Sequence, residues 1–173
     1  MCSENGILEV MERRYSVRSY SDRPVDKHAL MHILRAAQVA PTAVNKRPQR
    51  LFVLESKEAL AKAAKVTRFT FGAPLIILVC TDKNKGWTTD DGQYLGTVDA
   101  SIVMTQMMLE ATELGLGSCW VRGFRREDVS SVFELPDNLL PEGMLVLGYP
   151  SETAKPSAFH SEGISMEDMV TYL

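Results

Sequence analysis

The stretch Thr97-Val-Asp-Ala-Ser-Ile-Val-Met-Thr-Gln-Met-Met-Leu-Glu-Ala-Thr-Glu-Leu-Gly-Leu-Gly-Ser-Cys-Trp-Val-Arg-Gly123 decides the fold of this chain. Residues 97–114 carry a helical period, and at the usual rise they span about 27 Å. Asp99, Gln106, Glu110 and Glu113 fall on one narrow polar stripe. Val98, Ile102, Val103, Met104, Met107, Met108, Leu109, Ala111 and Leu114 cover most of the remaining circumference. A helix apolar over so much of its surface is buried, inside its domain or against a second copy. Gly115 is placed to end it in a left-handed cap, which only glycine adopts without strain. Gly117–Gly123 then predicts a short, covered strand with a glycine at each end, where backbone can approach a ligand closely.

At 173 residues the chain predicts one domain, 1–173, large enough to bury a core alone or as a dimer. Its longest apolar run, Ala73–Cys80, falls far short of the roughly twenty residues a membrane helix needs, so no membrane association is expected. The first residues are polar and carry no signal-peptide core. Cys2, Cys80 and Cys119 are odd in number and widely spaced, which argues against a disulfide framework or a zinc site. A reducing, cytoplasmic setting follows. The net charge of −3 is unevenly spread. Residues 13–50 hold nine Lys or Arg against Asp22 and Asp26, a balance of +7, and the rest of the chain stands at −10. A basic region on an acidic protein suits a small phosphorylated ligand rather than nucleic acid, which wants a basic domain.

Outward from the central helix, residues 3–14 predict a first helix with Ser3 as its cap and Ile7, Leu8 and Met11 on one face. Pro24 leads into a second helix over about 26–39, which Pro41 stops. Pro41–Pro48 reads as a rigid polar loop, Arg50–Glu55 as a short strand, and Ser56 caps a third helix to about Val66. Pro74–Thr81 is a buried strand. Residues 82–96 form a long loop, read as a substrate lid. Arg125–Leu135 predicts a fourth helix, Met144–Tyr149 a last strand, and Ser165–Asp168 opens a terminal helix with a capping-box pattern. Helices alternating with short strands place the chain in an α and β class around one sheet.

No dinucleotide-binding or phosphate-loop glycine motif, nucleophile elbow or Cys-x-x-Cys pair is present. His28 and His32, four apart on a helix without a third ligand nearby, read as a surface pair. Cys119 lacks a neighbouring histidine or acid to activate it as a nucleophile. What remains is anion chemistry. Arg14, Ser16 and Arg18 alternate, so in an extended segment they project from one side. Two guanidinium groups and a hydroxyl on one side suit a phosphate with a polar tail.

Four segments carry a likeness to a known family: Arg14-Tyr-Ser-Val-Arg-Ser-Tyr20, Ala36–Asn45, Gly115–Phe124 and Leu147-Gly-Tyr-Pro150. Together and in order, the chain resembles the nitroreductase family of FMN-dependent oxidoreductases. The resemblance implies an α+β fold with a mixed, mostly antiparallel central sheet flanked by helices. It also implies an intertwined homodimer, with FMN at the subunit interface and the helix at 97–114 as the seam. By the same analogy Arg14, Tyr15 and Ser16 bind the phosphate and ribityl chain, and Arg18 sits near the pyrimidine edge of the flavin. Pro41, Thr42, Ala43 and Asn45 approach the ring, at least partly from the other subunit. Backbone around Arg122 and Gly123 faces flavin N5. Trp120 packs beside the isoalloxazine or is a plain core residue. Thr67, Arg68 and Thr70 are candidates for the flavin's edge.

The implied reaction passes a hydride from NADH or NADPH through flavin N5 to an oxidised small molecule such as a nitroaromatic or quinone. It needs no side-chain acid or base, so no catalytic side chain is expected. A flavin-holding module without turnover, or a specialised reduction on the same fold, is the alternative. Two positions depart from the family pattern: Arg47 stands where a glutamine is common, and near the C-terminus only His160 is offered to the phosphate, where relatives carry Lys or Arg.

Overall fold

The computed structural model describes residues 6–173. The expected Ser3 cap, and Cys2, lie outside the described residues. The elements run α1 (Ile7–Arg13), α2 (Lys27–Val39), β1 (Gln49–Leu54), α3 (Lys57–Val66), β2 (Leu75–Asp82), α4 (Gly96–Glu113), β3 (Gly117–Val121), α5 (Arg126–Val132), β4 (Leu139–Gly148) and α6 (Met166–Met169). Short 3₁₀ turns fall at Ala43–Asn45 and Ala158–Ser161.

The sheet has order β1-β2-β4-β3 with every neighbouring pair antiparallel. Parallel contact enters through an isolated bridge between Ser16 and Ser118. β2 is apolar from Leu75 to Cys80 because both of its faces are covered. Leu75, Ile77 and Val79 point into a core with α2 and α4, built around Ile33, Ala37, Met104, Met107, Leu145 and Leu147. Ile76, Leu78 and Cys80 point the other way, into a second core with Ala63 of α3 and Val129 of α5. Alternation of successive side chains across a strand therefore hides an unbroken apolar run.

α4 lies along the first core, and Gly115 ends it with φ 74°, the left-handed cap its position predicts. One expectation for α4 does not hold. Asp99 was placed on the polar stripe with Gln106, Glu110 and Glu113, but it is 1% exposed. The first turn of the helix sinks beneath the 41–47 loop, and the carboxylate turns inward to a backbone donor there.

β4 also differs, beginning at Leu139 rather than Met144. A register shift between Val79 and Cys80 lets β2 keep pairing past Pro141 and the buried Glu142, two residues that interrupt the apolar pattern. The fourth helix is shorter than expected, covering Arg126–Val132. Ser165 does cap α6, accepting from the Asp168 N–H at 3.1 Å. The loop read as a lid is tied down: Thr88 bridges Tyr94, and the Tyr94 ring lies between Gly86 and Gly96, where a side chain on either glycine would collide with it. No helix of the described residues is long and apolar enough to cross a membrane.

Candidate functional site

The segment Arg14–Tyr20 is extended but outside the main ladders. It is held by Val17 N–H donating to the Ser118 carbonyl at 3.0 Å, and by Ser21 N–H donating to the Tyr149 carbonyl at 2.9 Å. Val17 is buried, and a side chain on Gly117 would clash with it, so the glycine lets the segment lie flat against β3. This anchoring leaves Arg14, Tyr15, Ser16 and Arg18 around a cavity of about 320 Å³.

Its opposite wall comes from the C-terminal region: Ser157, Phe159 and His160. The imidazole of His160 faces the Tyr15 ring with centroids 6.1 Å apart. Arg18 is steadied by Nη1 donating to the Ser16 carbonyl at 3.3 Å. Beneath the segment, the buried Ser118 hydroxyl has no partner among the described residues. Three basic side chains and the hydroxyls of Tyr15, Ser16 and Ser157 around one small hollow form a cradle for a compact anion, where each charge-assisted bond contributes about 1.5–3 kcal/mol.

Neither described cysteine suits nucleophilic work. Burial pushes the Cys80 thiol up to about 12, with the Glu142 carboxylate adding to the rise. Burial also raises Cys119, although Arg18 pulls in the opposite direction. The His28 and His32 rings lie against each other at a tilt of 44° with centroids 4.4 Å apart, and His32 Nδ1 lies 3.2 Å from Glu110 Oε1. Among the described residues no cluster could hold a metal.

The remaining expected site residues do not line the cradle within one chain. Trp120 is 38% exposed, with its indole passing over Gly143 on the α4 side of the sheet. In the Arg122–Phe124 turn, Phe124 N–H donates to the Arg122 carbonyl at 2.9 Å. The Gly123 N–H belongs to the same trans peptide as that carbonyl and so points the opposite way. Thr67 Oγ1 donates to the Gly123 carbonyl at 2.9 Å, locking the next peptide, and Phe69 packs where a Gly123 side chain would stand. Thr67 thus fixes the glycine turn; Arg68 lies over the Phe69 ring.

Pro41, Thr42, Ala43 and Asn45 form a separate turn beside the first residues of α4. Thr42 Oγ1 accepts from the Arg47 N–H at 3.0 Å, and Asn45 Oδ1 accepts from Arg47 Nε at 2.8 Å. Arg47 is therefore folded back onto its own loop. Next to this turn opens a groove of about 830 Å³ between α1, α2 and α4, floored by Val98, Ile102 and Leu109 and edged by His32, Glu110 and Glu113. Arg13 pairs with Glu113 at 2.8 Å across one end.

The family described as "Putative TM nitroreductase" matches residues 6–167 of the chain. The chain belongs to the nitroreductase family. The chain is similar to a crystal structure of a nitroreductase family protein from Clostridium difficile 630, at 43% identity and TM-score 0.90, covering 95% of this chain and 96% of that one. It is 32% identical over 157 residues to a protein of Methanothermobacter thermautotrophicus named "Putative NADH dehydrogenase/NAD(P)H nitroreductase", covering 87% of this chain and 80% of that protein. A structure titled "FMN-dependent Nitroreductase" from Clostridium difficile R20291 is 28% identical with TM-score 0.74, covering 91% of this chain and 98% of that one.

The residues that sequence reasoning grouped in one segment, Arg14, Tyr15, Ser16 and Arg18, line one cavity. It missed Ser157 and Phe159, and offered His160 to the phosphate only through the family resemblance. No local signal marks Ser157 or Phe159, which are joined to the cradle only by the fold.

Proposed function

We propose that this chain is an FMN-dependent NAD(P)H oxidoreductase that works as a homodimer. The observation that carries the proposal is the cradle of Arg14, Tyr15, Ser16, Arg18 and His160, a cationic hollow of 320 Å³ on a chain of this family. The hollow fits the phosphate tail of FMN: its donors are guanidinium, hydroxyl and imidazole groups, and no carboxylate lines it. When bound, FMN would supply the redox chemistry that links NADH or NADPH to an oxidised small molecule such as a nitroaromatic or quinone.

The protein's own residues hold and orient. Arg14 and Ser16 grip the tail, and Arg18 sets positive charge toward the pyrimidine edge, where negative charge grows on reduction. The Gly123 N–H, turned away from the Phe124 bond, is a fixed donor toward the ring. Pro41, Thr42, Ala43 and Asn45 would approach the ring, at least partly from the second subunit, and Trp120 would pack at its side. The occupant of the α1–α2–α4 groove is therefore a second copy of this chain. Two buried free thiols, Cys80 and Cys119, suit a reducing cytoplasm.

The purified protein is expected to be yellow or to become so on adding FMN, and anaerobic mixing with NADH or NADPH is expected to bleach the flavin band. A protein that stays colourless in excess FMN rules the proposal out; a yellow protein that neither cofactor bleaches is a flavin-holding module.

Two predictions belong here. Val98→Glu puts a charge into the apolar groove, so sedimentation velocity is expected to show a monomer carrying little FMN; an intact dimer would place the seam elsewhere. His160→Ala is expected to weaken FMN by about tenfold while riboflavin affinity stays unchanged, because the imidazole meets the phosphate alone. Equal loss of both ligands in a titration would count against that contact.

A further inference from the structure

We propose that Asp99 is a positioning residue: from the first turn of α4 it holds the 42–47 turn in the conformation that meets the flavin ring. The inference rests on the reading that this turn lies against the isoalloxazine, and it goes beyond that reading by naming what holds the turn there.

The turn is strained. Val44, Asn45 and Arg47 have φ of 41°, 57° and 49°, three non-glycine residues in the left-handed region within four positions. Asparagine tolerates that backbone, but for a β-branched valine it is a true outlier. Strained backbone persists only where surrounding structure over-determines it, and such segments gather at ligand-binding sites. Val44 gains nothing from burial in exchange, since its side chain is 64% exposed. Bonds within the loop close the turn: Asn45 N–H to the Thr42 carbonyl at 2.9 Å, Lys46 N–H to the Ala43 carbonyl at 3.0 Å, and the two Arg47 bonds described above. None of these tells the turn where to stand relative to the domain.

Asp99 does. Its Oδ1 accepts the Ala43 N–H at 2.8 Å, at the second residue of the turn, from a helix packed along the core. The carboxylate is 1% exposed, and Oδ2 is buried with no partner among the described residues. A single backbone donor is poor compensation for burying a carboxylate, whose desolvation is costly. Stability alone would favour a neutral acceptor at this place. A charged acceptor gives a shorter, stronger bond, which suits a site where the direction of one N–H must not wander.

The test measures FMN and riboflavin affinity by flavin fluorescence, and amide exchange across residues 42–47, on the dimer. Asp99→Ala is expected to lower both flavin affinities together by about tenfold, because the ring side is disturbed and the phosphate cradle is not. It is also expected to speed exchange in the turn. Asp99→Asn keeps an acceptor oxygen without the charge and is expected to fall between wild type and Asp99→Ala. Should Asp99→Ala fail to fold, Ala43→Pro removes the same bond from the other end. Thr42 already has the extended backbone a following proline requires, φ −137° and ψ 157°. Ala43→Pro is expected to reproduce the parallel loss of FMN and riboflavin.

A folded Asp99→Ala dimer with wild-type flavin affinity overturns the proposal, as does an Asp99→Asn variant no better than Asp99→Ala. Unchanged exchange at 42–47 in Asp99→Ala overturns it too. A wild-type protein that binds no flavin instead overturns the functional reading and this proposal with it, an outcome distinct from the others because it appears before any substitution.

Discussion

Arg14→Ala is expected to leave the purified protein with about a tenth or less of its normal FMN, while Lys57→Ala keeps the full complement. Arg14 lines the cradle beside Ser16 and Arg18, and Lys57 begins α3, outside it. A charge-assisted bond to phosphate contributes about 1.5–3 kcal/mol, so its loss corresponds to roughly ten- to hundredfold weaker binding. The flavin absorbance per subunit after gel filtration reads this directly. Because the cradle is open to solvent, the remaining affinity of the variant should fall further as salt is raised. Equal flavin content in the two variants would move the phosphate elsewhere on the protein.

Glu142→Ala is expected to cost about 3 kcal/mol of stability. The residue is 2% exposed and joins four elements. Thr81 Oγ1 of β2 donates to Oε1 at 2.9 Å, and Thr97 Oγ1 of α4 donates to Oε2 at 3.1 Å. Arg126 of α5 completes the cluster by pairing with Oε2, and its Nε also donates to the Pro141 carbonyl at 3.0 Å. Alanine would leave the fully buried Thr81 hydroxyl without its acceptor and open a cavity in a packed core. Arg126 is 36% exposed, so water recovers part of its pairing, which puts the cost at the lower end of the range for a broken buried pair. For a chain of this size the melting temperature should drop by roughly 6–12 °C. Glu142→Gln, which keeps an acceptor, should fall between the two proteins in urea unfolding. A Glu142→Ala protein within about 0.5 kcal/mol of wild type would show that the cluster contributes nothing net.

The cluster around Glu142 also explains why β4 was drawn too short from the sequence. Strand assignment there relied on apolar character, and Leu139-Leu-Pro-Glu-Gly143 contains a proline, an acid and a glycine. The pairing survives because β2 shifts register opposite Pro141, and because the acid finds three donors on other elements. Asp99 was misplaced for a related reason. Its spacing from Gln106 puts it on the polar side of an ideal helix, but spacing carries no information about what covers the first turn. The phosphate cradle was half legible. The alternation of Arg14, Ser16 and Arg18 was visible in one short segment, whereas its second wall arrives from Ser157–His160 after the whole sheet has been built.

Residues alone therefore determined the path of α4 and its left-handed end at Gly115, the doubly covered strand β2, and the cationic face of residues 14–18. Helical period, strand alternation and the backbone freedom of glycine are set by neighbours within a turn or two, so they can be taken from the chain itself. Only the tertiary structure decided that His160 closes the cradle, that Asp99 turns inward to Ala43, and that Glu142 is buried among Thr81, Thr97 and Arg126. Those outcomes depend on whether a charge taken out of water meets its partners, and the partners come from remote parts of the chain.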